Sequence, residues 1–143
     1  MKFVVRKGSL YLVLIVTALL VLSDSLDALM RGKDAAIFRQ FADASPEISA
    51  ADYVALISIS LIINTLIPVT YAIYQYFSLR FAGQSSLARA VWGILLIGAL
   101  AMRLLGINLS SLFAILSSVC LAVLFIHHIL MKSAVNRERS STR

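Results

Sequence analysis

A chain of 143 residues that is 60% hydrophobic and only 14% charged is too apolar for a soluble globular domain, in which apolar residues make up roughly 45–50% and charged ones about 25%. The length accommodates about four membrane spans of ~20 residues and little besides, which excludes a separate soluble catalytic domain. The net charge of +6 falls beside apolar runs, where it orients a protein in a bilayer; no basic face is left over for nucleic acid.

The first span is expected at about residues 10–30. Residues 10–22 are apolar apart from Thr17, preceded by Lys2, Arg6 and Lys7 and followed by Ser23, Asp24, Ser25 and Asp27. Ser23 and Ser25 form the small-x-small pair of a secretory leader, but the run is read here as an uncleaved span. Asp24 and Asp27 lie one helical turn apart, a spacing that suits either a cation or, more commonly, a helix end emerging into water. Beyond them, Ile37, Phe38 and Phe41 fall on one face of a short amphipathic helix, expected on the outer membrane surface. Ser45, Pro46 and Glu47 offer an N-cap, a proline at the first helical position and an acid in the first turn, which predicts that the next helix begins there.

The second span, residues 53–77, carries Ser60, Asn64, Pro68, Tyr71 and Gln75 at intervals of four, four, three and four, so that they share one helical face. Pro68 has no N–H to give the carbonyl of Asn64, which is left seeking a donor at a predicted bend. Such a face either cross-links helices through hydrogen bonds or lines a ligand or ion path.

The third span, residues 87–105, has Ala90, Gly93 and Ala101 on a narrow small-residue face and ends near Arg103. Gly106, Asn108 and Ser110 predict a tight turn into the fourth span, residues 109–131, making the two helices antiparallel neighbours. Ser110, Ala114, Ser118 and Ala122 repeat every four residues, a strip that lets another helix approach closely. The third helix is the expected occupant, with self-association or a partner helix as the alternative. His127 and His128 point about 100° apart, cannot share one ion in a regular helix, and are expected to face water or headgroups. Cys120, the only cysteine, reads as a small apolar residue at mid-span. Residues 136–143 read as a disordered polar tail.

With the N-terminus in the cytoplasm, nine of the thirteen Lys and Arg residues lie on the inner side and four (Arg31, Lys33, Arg39 and Arg103) on the outer. Tyr11, Tyr74, Tyr76, Phe77 and Trp92 gather at the inner interface, as amphipathic rings do. Counted from the inner edge, Asp24 and Arg103 reach similar depth, ~21 and ~24 Å at the helical rise, and an ion pair between them would relieve the cost of each inside the apolar boundary.

The expected fold is therefore all-α: a polytopic four-transmembrane-helix bundle over residues 1–135, with both termini cytoplasmic, a short external amphipathic helix and a cytoplasmic tail. Its expected place is a cell membrane crossed several times, of the bacterial inner-membrane kind. Spaced histidine boxes, a nucleophile–base arrangement, a Gly-rich phosphate loop and paired carboxylates on separate helices are absent from the sequence, so no enzyme activity, cofactor or metal is expected. The expected function is binding between helices, as an accessory or regulatory subunit or a homo-oligomer. The alternative is an oligomeric transporter or channel whose path the second helix lines.

Overall fold

The computed structural model describes residues 7–78, 85–105 and 111–140, the last ten as backbone alone. They form five helices: α1 (Lys7–Lys33), α2 (Ala35–Ala44), α3 (Ala50–Phe77), α4 (Ser86–Leu105) and α5 (Leu112–Ser140). Three of them, α1, α3 and α4, together with Leu112–Leu130 of α5, are long and apolar enough to cross a membrane. In lipid a backbone must satisfy its own polar groups, and helices do so within each segment. The chain is thus an all-helical, multi-pass membrane protein. The predicted tight turn at Gly106, Asn108 and Ser110 lies outside the described residues, and the backbone of α5 runs on through residues 136–140 of the expected tail.

The four long helices alternate in direction and stand in a ring in the order α1, α3, α4, α5. The α1 helix packs most extensively, against α5 on one side and α3 on the other; α4 meets α5 less closely, and the α3/α4 seam is the loosest of the four. This amends the expectation for the last span: α4 does adjoin α5, but α1 is its main neighbour. Since α1 is apolar nearly all round, its inward face is set by spacing. Leu10, Val13, Thr17, Leu20 and Asp24 are buried at intervals of three and four, the seam by which one helix follows its neighbours. Val13, Leu20, Tyr71, Leu96, Leu121 and Leu124 fill the centre.

Local sequence explains the helix ends. Asp34 caps α2, accepting from the N–H groups of Ala36 at 2.8 Å and Ile37 at 3.3 Å. The apolar face of α2 rests on protein, with the Phe38 and Phe41 rings 5.4 and 5.1 Å from Tyr53. The next helix does not begin at Ser45, which instead closes α2 by donating its N–H to the Phe41 carbonyl. Its cap is Ser49, in a capping box with Asp52. The reason is the third helical position: counted from Ser45 it is Ile48, which has nothing to return to the cap, whereas counted from Ser49 it is Asp52, whose carboxylate accepts the Ser49 N–H at 3.1 Å.

Candidate functional site

The α3 helix continues through Pro68, and the carbonyl that proline leaves without a helical partner is that of Asn64. Arg103 of α4 supplies the donor: its Nη2 lies 3.2 Å from the Asn64 carbonyl oxygen. The same guanidinium grips Asp24 of α1 in a two-pronged ion pair, with Nη1 donating to Oδ1 at 2.9 Å and Nη2 donating to Oδ2, and it also donates to Ser117 Oγ of α5. One cation therefore touches all four spanning helices and uses four N–H contacts, a density suited to the fixed fork of arginine. Both charged side chains are only 9% exposed. Asp24 and Arg103 sit on α1 and α4 respectively, which face each other across the ring, so this bond ties a diagonal that side-by-side packing does not.

Above this knot, on the side of α2, lies a cavity of about 510 Å³ to which every helix contributes. Asp24, Arg103 and Ser117 are at its floor, Asp27 and Arg31 in its wall, Ser60 and Asn64 on its α3 side, and Ile37 and Phe41 of α2 beneath its rim. Arg31 pairs with Asp27 at 2.8 Å, and Ser111 donates its hydroxyl to the other Asp27 oxygen. Asp24 and Asp27 thus each answer a separate arginine and do not form a two-carboxylate cation site. Ser60 and Asn64 are exposed, joined only by a long 3.4 Å contact from Asn64 Nδ2 to Ser60 Oγ. No family model, curated protein or solved structure matches this chain. What the protein does has to be read from this geometry.

The remaining members of the α3 polar face behave differently. Pro68, Tyr71 and Gln75 are buried in the other half of the bundle, so a face continuous in sequence is divided into a cavity wall and a packed core. Tyr71 bonds His128 of α5 across the second diagonal, its hydroxyl 3.1 Å from Nδ1, while His128 Nε2 lies 3.0 Å from the Arg89 carbonyl of α4. A carbonyl can only accept, so in the neutral ring Nε2 carries the hydrogen and Nδ1 accepts from Tyr71. Trp92 stands beside Tyr71 and Tyr74, with ring centroids 5.5 and 5.4 Å away.

Both histidines depart from the expected solvated setting: His128 is 6% exposed, and His127 Nε2 meets Ser9 Oγ at 2.9 Å. Each found a polar partner on another helix, which is how a membrane interior accommodates an imidazole. Within the small-residue strip of α5, Ser118 is buried and donates to the Ala114 carbonyl at 2.8 Å, Ala114 and Ala122 are half-buried, and Ser110 lies outside the described residues. The more deeply buried line is the adjacent one, Ser117, Leu121, Leu124 and His128. On α4 only Gly93 of the small face meets a neighbour, the His128 ring at 3.6 Å from where a Cβ would stand; Ala90 and Ala101 are exposed. Ser117, Ser111 and the Arg89 carbonyl are the contributors that sequence reasoning passed over, and His128 is the one it set facing water or headgroups.

Proposed function

We propose that this chain is a non-enzymatic integral membrane protein that acts by binding through its helices, either as an accessory subunit of a larger membrane assembly or as a homo-oligomer. The observation that carries this reading is the uneven cover of its spans. Within the apolar windows, 28% of α1 and 33% of α5 are buried, against 17% of α3 and 11% of α4, so α3 and α4 keep most of their surface for lipid or for other helices. Association there is favoured by close packing and interhelical hydrogen bonds. A second reading, an oligomeric small transporter, is favoured by the polar cavity, but Leu20, Leu96, Leu121 and Leu124 occupy the centre below it. A path would have to run between copies rather than through one.

The proposed orientation is N-terminus and C-terminus in the cytoplasm, with α2 and the cavity outside, from the nine-to-four division of basic residues; a bacterial inner membrane is the proposed location. Reconstitution into liposomes tests the function: the purified chain should pass neither ions nor small solutes above empty vesicles. A flux that Asn64→Leu abolishes would replace this reading with the transporter.

A further inference from the structure

We propose that the cavity beneath α2 binds the headgroup of an ethanolamine phospholipid entering from the bilayer through the α3/α4 seam. The site goes beyond the helix-binding role and holds whether the chain works alone or in an assembly. Its volume, about 510 Å³, lies within the range of small-ligand pockets, roughly 300–1,000 Å³, which pair apolar walls with a few convergent polar groups. Its two carboxylates and two guanidiniums, Asp24, Asp27, Arg31 and Arg103, cancel, so neither a simple anion nor a simple cation is favoured. A zwitterion matches.

The two pairs are not equally available. All the terminal contacts of Arg103 are engaged by Asp24, Ser117 and the Asn64 carbonyl, which makes that pair a floor. Arg31 holds Asp27 through Nη2 alone. Its side chain is 36% exposed, against 9% for Arg103. Arg31 stands seven residues beyond Asp24, ~10 Å further along α1, close to headgroup level. A phosphate oxygen can accept from that guanidinium, while a primary ammonium donates to Asp27 and to the Asn64 amide oxygen. The entrance follows from exposure: Asn64, Ser60 and Leu56 on α3 and Met102 on α4, the last 74% exposed, line the cavity and are open to the outside. They stand at the loosest seam of the ring, where an acyl chain can lie against Leu56 and Met102 while its head turns inward. Choline lipids share the charges but have no N–H to give, and glycerol lipids lack the cation.

Native mass spectrometry of the full chain in mild detergent tests this with four probes: oleoyl lysophosphatidylethanolamine, the matching lysophosphatidylcholine and lysophosphatidylglycerol, and soluble phosphoethanolamine. One equivalent of the ethanolamine lysolipid should be retained, about tenfold more than either other lysolipid, the ratio expected for one charge-assisted hydrogen bond. Arg31→Gln should reduce retention about as much. Ser60→Trp, which fills the cavity, should abolish it, and Ile15→Trp on the far face of α1 should leave it unchanged. Equal retention of the three lysolipids, undiminished retention in Ser60→Trp, no retention at all, or equal binding of phosphoethanolamine without a chain would each overturn the proposal.

Discussion

Replacing Arg103 by alanine removes a group that joins its own helix, α4, to the other three spanning helices. Four hydrogen bonds end on its guanidinium; at the ~0.6 kcal/mol average found for interhelical bonds in a membrane protein, they amount to about 2 kcal/mol. The larger effect is on what stays behind. Asp24, 9% exposed, is left as a buried carboxylate without a counter-charge, and breaking such a pair typically costs about 3–5 kcal/mol, whereas removing both partners is far milder. Arg103→Ala and Asp24→Ala should therefore each destabilise the bundle by about 3 kcal/mol, and the double variant should lose less than the sum by about 2 kcal/mol. Reversible unfolding in mixed micelles, followed by circular dichroism, measures all four corners of the cycle. Strict additivity would refute the reasoning and leave Arg103 as an interfacial anchor only.

Pro68→Ala should lessen the cost of Arg103→Ala by about 0.6 kcal/mol in the same assay, because alanine returns an N–H to the Asn64 carbonyl that Arg103 now serves; an unchanged cost would separate the proline from the arginine. Tyr71→Phe should cost about 0.5–1.5 kcal/mol in wild type and clearly less in a His128→Ala background, since the hydroxyl meets His128 as well as Gln75; an equal loss in both backgrounds would dissociate Tyr71 from His128. Ser118→Leu should destabilise by about 1–3 kcal/mol through overpacking, because Ser118 is buried, while the half-buried Ala114 should accept leucine at lower cost; equal thermal midpoints would count against that difference in burial. Thr17→Val should be neutral or stabilise by up to ~1 kcal/mol, because the Thr17 hydroxyl is buried with no hydrogen-bond partner among the described residues; a clear loss would reveal a partner.

The sequence was most legible where polar residues interrupt apolar ones. Span number and approximate limits followed from length and composition, since lipid permits few alternatives to a helix of about twenty residues. Asp24 and Arg103 could be matched because helical rise converts position into depth, and Pro68 pointed to the Asn64 carbonyl because a missing N–H has only one helical target. The inward faces were harder to read. On α5 the strip Ser110, Ala114, Ser118, Ala122 and the line Ser117, Leu121, Leu124, His128 have nearly the same spacing and lie side by side, and in an apolar solvent hydropathy does not choose between them. That is why Ser117 was passed over and His128 was set facing water or headgroups, while Ala114 and Ala122, only half-buried, were singled out. The polar face of α3 misled by its regularity: Ser60 and Gln75 share an angular position but lie about 22 Å apart along the helix, far enough for one to line a cavity and the other to be packed in the core.

The central claim, a bundle closed through its own middle that works by binding other helices, is tested most directly by the mass of the particle extracted from its native membrane into polymer nanodiscs without detergent. The account predicts a small fixed assembly, either this chain with a different membrane protein in constant ratio or two copies of this chain, with the Arg103–Asp24 knot intact in each. A closed ring of several copies, enclosing a path lined by Ser60 and Asn64, would contradict it.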